Sequence, residues 1–130
     1  MSVCKYPLVL LIDDNYIDNM INQKILQVTH FAKEVVISQS TEEAIAYLNI
    51  VLRAEKPVPD VIFVDIRMPE KNGFQFLDEF ETIKNNYNFE AKIIVLSASL
   101  DPNDYKKVVE NKNVFCFANK PLSQNVLNTI

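Results

Sequence analysis

One glycine, Gly73, serves all 130 residues. A loop that cradles phosphate in backbone amides needs several glycines in a short span. Any phosphate chemistry here must therefore use side chains, a metal ion and ordinary backbone donors. Cysteine is scarce too: Cys4 and Cys116 have no metal-ligand spacing such as Cys-x-x-Cys. Cys116 lies in an apolar run and is expected as a small core residue, and a reduced, cytoplasmic chain is expected. No apolar run approaches the roughly 20 residues that span a bilayer. The start, Met-Ser-Val-Cys-Lys-Tyr-Pro, lacks the long apolar segment and cleavage site of a secretion signal. Basic charge is not in excess. The net charge of −4 argues against non-specific nucleic-acid binding, which needs a basic surface. The one histidine, His30, is expected as a surface or capping residue near the end of the first helix, not as a ligand.

What is present is a well-patterned apolar chain. With 48% hydrophobic and 23% charged residues, 130 residues suit one globular domain with one core. Strand-like apolar runs occur at Val9–Ile12, Glu34–Ser38, Val61–Val64, Ile93–Leu96 and Val114–Ala118. Segments of helical period separate them. Ile17, Met20, Ile21, Ile25 and Val28 predict the buried stripe of a first helix. Ala44, Ile45, Leu48 and Leu52 do so for a second, opened by a Ser40–Glu43 capping box and barred from continuing by Pro57 and Pro59. Phe74, Leu77, Phe80 and Ile83 stripe a third helix that ends near Asn85–Asn86. Asp101–Pro102 starts a fourth, with Tyr105, Val108 and Val109 as its apolar side. Ser123 caps a last helix of about eight residues carrying Val126, Leu127 and Ile130.

Five β-α units with strands apolar enough to be covered on both faces predict an α/β fold, a doubly wound parallel sheet between helix layers. In such sheets function lies outside the carboxyl ends of the strands. Those ends carry polar groups: Asp13 and Asp14 after the first strand, Asp65 after the third, Ser97 after the fourth and Lys120–Pro121 after the fifth. Side by side, they bring three carboxylates, a hydroxyl and an ammonium to one edge. Two carboxylates about 4 Å apart repel by roughly 4 kcal/mol at an effective dielectric of 20. A hard divalent cation that prefers oxygen, such as Mg²⁺, removes the conflict, and Lys120 adds permanent positive charge. Any one of these groups alone reads as a cap or turn former. All of them together at strand exits point to a divalent cation and a phosphoryl group.

These residues resemble the receiver domain of two-component response regulators over essentially the whole chain. The resemblance rests on Asp13-Asp14, on Asp65-Ile-Arg-Met68-Pro69-Glu-Lys-Asn-Gly73, on Ser97-Ala98, and on Phe117 three residues before Lys120-Pro121. It implies a single flavodoxin-like (βα)5 domain over residues 1–130, with strand order 2-1-3-4-5, residues 1–6 a loose leading segment and no output domain. It implies Asp65 as phosphoacceptor for a phosphohistidine on a sensor histidine kinase or histidine phosphotransfer protein. Asp14 and Asp65 would bind Mg²⁺ (or Mn²⁺) directly, Asp13 through a water, and the Arg67 backbone carbonyl would complete the protein ligands. Lys120, the Ser97 hydroxyl and the Ala98 amide would meet the phosphoryl oxygens. Ser97 and Phe117 would form the switch, and Arg67 and Ser99 would tune phosphoryl lifetime, with Arg67 over the site entrance. A downstream protein would bind the face made by the fourth helix, fifth strand and last helix, where Lys106, Lys107, Asn111, Asn119, Gln124 and Asn128 are candidates.

Two other functions compete. A Mg²⁺-dependent phosphohydrolase with an aspartyl nucleophile should carry a second acid two places after it and a cap insertion. Position 67 is arginine and no cap-sized insertion is visible. A phosphorylation-independent interaction module would not need the full set of site residues.

Overall fold

The computed structural model describes residues 3–68, 72–98 and 101–130. Its elements run β1 (Tyr6–Ile12), α1 (Tyr16–Val28), β2 (Ala32–Ser38), α2 (Thr41–Arg53), β3 (Val61–Asp65), α3 (Gly73–Tyr87), β4 (Lys92–Ser97), α4 (Pro102–Glu110), β5 (Val114–Asn119) and α5 (Gln124–Leu127). All strand pairs are parallel, in the order β2-β1-β3-β4-β5. The expected fold is thus the observed one. β1 begins three residues earlier than its apolar run suggested. Lys5 and Tyr6, expected in a loose leader, donate their amides to His30 and Phe31 carbonyls at 2.9 Å each.

The strands alternate between two cores, as a pleated sheet requires. Leu10, Ile12, Ile62, Val64, Ile93 and Val95 face α2, α3 and Val108 of α4. Val9, Leu11, Val61, Phe63, Ile94 and Leu96 face Leu26 of α1 and Leu127 of α5. Each fully buried side chain of this kind contributes about 1.5–3 kcal/mol. Cys116 is only half-buried, at the edge of the second core.

The helix starts follow local chemistry. Ser40 caps α2 by accepting the Glu43 amide at 3.0 Å, while Glu43 reaches back to the Gln39 amide. Asp101 caps α4, with Pro102 in its first turn. Asn72 and Gln75 make a full capping box on α3, a pairing the sequence reading did not identify. Helix exits lack the usual glycine. His30, Glu55 and Asn88 instead adopt left-handed φ of 59°, 54° and 53°. α5 is shorter than expected, a single turn, with Ile130 buried beyond it.

The main departure is α1. Ile17, Met20 and Val28, expected inside, are 65%, 52% and 58% exposed, while Asn19, Asn22 and Leu26 are buried. Two stripes of helical spacing run along this segment, and the polar one faces in. The reason is hydrogen bonding. Asn19 Nδ2 donates to the Asp13 carbonyl at 2.8 Å, and Asn22 Oδ1 accepts the Leu122 amide at 3.0 Å. Burying Ile17 and Met20 instead would leave those loop groups unsatisfied, at about 1–3 kcal/mol each. A milder departure is α4, where Val108 is buried but Tyr105 and Val109 are exposed.

Candidate functional site

Strand register brings the site together. Ile12 pairs with Val64, which puts Asp13 level with Asp65 at adjacent strand exits. Asp65 pairs with Leu96, so Ser97 comes one residue later, and Ser97 pairs with Asn119, just before Lys120. The reversal of strand order between β1 and β3 opens the crevice there.

Asp13 is fully buried. Its amide donates to the Ser38 carbonyl, and its Oδ1 accepts the Asn15 amide at 2.9 Å. Asp14 is exposed beside it. Asp65 is 5% exposed; its Oδ1 accepts the Arg67 amide at 2.9 Å and its Oδ2 accepts from Lys120 Nζ at 3.0 Å. Carboxylate oxygens of Asp13, Asp14 and Asp65 lie within 4.8 Å of one another. Ser97 is buried at the end of β4, and its carbonyl accepts the Lys120 amide at 3.1 Å. Ala98 follows it at the surface. Phe117 is half-buried against the α3 side of the core.

Lys120 ties the carboxylates together. Its ammonium lies 2.5 Å from Asp13 Oδ2, 2.9 Å from Asp18 Oδ2 and 3.0 Å from Asp65 Oδ2. Burial alone would lower its pKa, but the three carboxylates together raise it, so it stays charged. Burial pushes the Asp13 carboxyl up, against the opposing pull of Lys120 and the Asn15 amide. Asp13 Oδ2 is held by the Lys120 ammonium. Three carboxylates with oxygens within 4.8 Å of one another carry more negative charge than one ammonium offsets, and such an all-oxygen donor set fits a hard cation such as Mg²⁺.

The Arg67 side chain reaches the first turn of α4, pairing with Asp101 at 2.8 Å and with Asp104. The Asp101 carboxyl is held low by the Asp104 amide first and by Arg67 second. Gly73 has no positive φ. What its bare Cα permits at the start of α3 is close approach: a Cβ there would lie 2.6 Å from Ile66 Cα and 2.8 Å from the Asp65 carbonyl oxygen. Met68 is buried in the core behind the acceptor. Pro69 and Ser99 lie outside the described residues.

The sequence reading missed Asp18. It lies on the first turn of α1, where its amide donates to the Asn15 side chain at 3.0 Å. Asp18 and Asn22 are four residues apart and so share a helix face, with Asn19 beside them. That polar stripe in an otherwise apolar helix was the available signal.

The response regulator receiver domain family matches residues 9–130, and the chain belongs to it. It is 29% identical over 98 residues to the response regulator Rcp1 of Synechocystis, covering 74% of this chain and 65% of that protein. It is 30% identical over 82 residues to hybrid signal transduction histidine kinase D of Dictyostelium discoideum, covering 62% of this chain but only 5% of that one. A two-component response regulator from Cytophaga hutchinsonii superposes with a TM-score of 0.84 at 36% identity, covering 96% of this chain and 93% of that one. The receiver domain of the Arabidopsis thaliana histidine kinase CKI1, complexed with Mg²⁺, shares the fold at a TM-score of 0.81 and 23% identity, covering 98% and 92%. The chain is therefore a receiver domain of two-component signalling, a class of signalling modules that work with histidine kinases or phosphotransfer proteins. The phosphohydrolase alternative is not favoured. Among the described residues, no helix is long and apolar enough to cross a membrane.

Proposed function

We propose that Asp65 accepts a phosphoryl group from a phosphohistidine on a sensor histidine kinase or histidine phosphotransfer protein. The observation that carries this is the Lys120 ammonium, bound at once by Asp13, Asp18 and Asp65, where oxygens of Asp13, Asp14 and Asp65 lie within 4.8 Å of one another. An Asp65 carboxylate oxygen attacks phosphorus, the phosphorus–nitrogen bond breaks, and its electron pair leaves with the imidazole. Asp14, Asp65, Asp13 through a water, and the Arg67 carbonyl would hold Mg²⁺ (Mn²⁺ is the other oxygen-loving candidate), which when bound draws charge from the phosphoryl oxygens. Lys120 neutralises the same charge. The Ser97 hydroxyl and Ala98 amide donate to these oxygens. The module catalyses only its own phosphorylation and slow dephosphorylation.

The exposed apolar face of α1, with Tyr16, Ile17, Met20 and Ile21, borders the site and supports protein docking by the donor. Phosphorylation adds about −1.5 to −2 charges and three acceptor oxygens. Ser97 moves toward them and Phe117, lacking a hydroxyl, turns inward by packing alone. The signal leaves by the α4-β5-α5 face, where exposed Tyr105 and Val109 of α4 and Phe115 of β5, with Lys92 over its ring at 4.7 Å, offer apolar contacts to a downstream protein. Arg67 and Ser99 tune the lifetime. For Arg67 the tie to Asp101 and Asp104 of α4 supports such a role. Free Cys4 and Cys116 suit a reducing, cytoplasmic setting.

Intact mass after incubation with acetyl phosphate and Mg²⁺ tests the acceptor. The native chain should gain one phosphoryl group and Asp65→Asn none. Equal gain in both would place the acceptor elsewhere.

A further inference from the structure

A recess of about 210 Å³ opens beside the acceptor. Asp18, Ile21 and Asn22 of α1 form one wall, and Ala98, Lys120 and Pro121 the other. Its surfaces are of two kinds. Ile21, Ala98 and Pro121 offer apolar contact suited to the face of a flat ring. Asp18 and Asn22 offer unspent hydrogen-bonding capacity. Asp18 places Oδ2 on Lys120 at 2.9 Å, while its Oδ1 accepts no hydrogen bond among the described residues. Asn22 is 1% exposed, and its Nδ2 is buried without a partner there. Neither asset is needed to hold a cation or to stabilise a phosphoryl group. A fourth carboxylate makes both tasks harder, because it competes with the phosphoryl oxygens for Lys120 and adds negative charge where a dianionic group must arrive.

We infer that this recess is the binding site for the nitrogen leaving group of the phosphodonor, and that Asp18 selects nitrogen-linked over acyl phosphates. The inference rests on Asp65 being the acceptor. In a phosphoimidazole protonated on its ring, the nitrogen distant from phosphorus carries a hydrogen. Asp18 Oδ1 accepts it. When the phosphorus–nitrogen bond breaks, the electron pair stays on the departing nitrogen, the distant proton stays in place, and neutral imidazole remains against the carboxylate. An acyl phosphate reverses the electrostatics. Its carbon-linked oxygen departs with the electron pair as a carboxylate, which Asp18 repels. The charge that obstructs an anionic donor thus favours a cationic one, which accounts for a fourth acid beside an already acidic site.

The test compares two small donors on the full chain with Mg²⁺, reading labelling rate by intact mass. Monophosphoimidazole and acetyl phosphate deliver the same group from opposite kinds of leaving group. Asp18→Asn keeps an acceptor for Lys120 and removes the charge. It should lower the phosphoimidazole-to-acetyl-phosphate rate ratio about tenfold, the scale of one charge-assisted hydrogen bond, with the acetyl phosphate rate rising. Ile21→Trp narrows the same recess from a 43% exposed position, where the fold tolerates change, and should lower the ratio as well. If Asp18→Asn changes both rates by one factor, Asp18 acts only by placing Lys120 and the inference is overturned, while the acceptor stands. If the native chain takes no phosphoryl group from either donor, or Asp65→Asn labels equally, the acceptor reading falls and takes this one with it.

Discussion

Gly73→Ala adds one methyl group at the point where α3 begins against the back of the acceptor strand. An ideal Cβ would stand 2.6 Å from Ile66 Cα, 2.8 Å from the Asp65 carbonyl oxygen and 2.9 Å from Ile66 Cγ2. Optimal carbon contacts are about 3.5–4.0 Å, so each is short by roughly an ångström. Two of the three atoms are backbone, and no rotamer change moves them. The opposing effect is helix propensity, in which Ala exceeds Gly by up to about 1 kcal/mol in a helix interior and by less at a first helical residue. Overpacking a tight site costs about 1–3 kcal/mol. Crowding wins, and the expected net loss is about 1–2 kcal/mol in urea unfolding at unchanged slope. The strain has a functional direction, because relief requires α3 to recede or the Asp65–Ile66 backbone to shift. A shift of that backbone moves the Asp65 carboxylate against Lys120, now 3.0 Å away. Misplacement on the ångström scale costs up to about 100-fold in rate, so labelling from acetyl phosphate should slow at least severalfold. A variant as stable as the native chain, labelled at the native rate, would refute close approach as the reason for the lone glycine.

Three further outcomes follow from the same geometry. Asp13 has its carboxyl raised above the ordinary value of 3.8 by burial, so without metal its contribution to stability is greatest below that pH. It is lost as pH rises through the folded-state value; Asp13→Asn should flatten this part of the metal-free stability curve, and an unchanged difference between pH 3 and pH 6 would refute the burial argument. Asn22→Leu removes the acceptor of the buried Leu122 amide and should cost about 1–3 kcal/mol by chemical denaturation despite the added apolar surface; a gain in stability would show that the polar stripe of α1 does not set its rotation. Mg²⁺ at about 100 times its dissociation constant should add about 2.7 kcal/mol to unfolding, and chelation should reverse it. Asp14→Asn should remove most of that gain, and full retention would place the cation elsewhere.

The identity and order of the elements were legible because they depend on local information. A run such as Val61–Val64 is apolar on both faces and made of β-branched and aromatic residues, and no partner needs to be known to see that it is a central strand. The acidic edge was legible for a related reason: a residue that follows an apolar run must leave the sheet there, so Asp13, Asp65, Ser97 and Lys120 could be placed without coordinates. Strand ends were read one to three residues short, as at Tyr6 and Ala32, because pairing with a neighbour extends a strand beyond its apolar residues.

Other features depended on groups that arrive from far along the chain. Which stripe of α1 turns inward was decided in part by the Leu122 amide, 100 residues beyond Asn22; hydrophobic spacing along the helix cannot contain that information. The pairing of Asp18 with Lys120, 102 positions apart, and the turn of Arg67 to Asp101 and Asp104 have the same origin. Taken alone, the amino-acid order determined a five-unit parallel α/β sheet with a charged corner at its carboxyl edge, since burial and chain direction act residue by residue. Tertiary structure decided the rotation of the first helix, the partners of each charge and the need for a bare Cα at position 73, since those follow from distances between segments that meet only after folding.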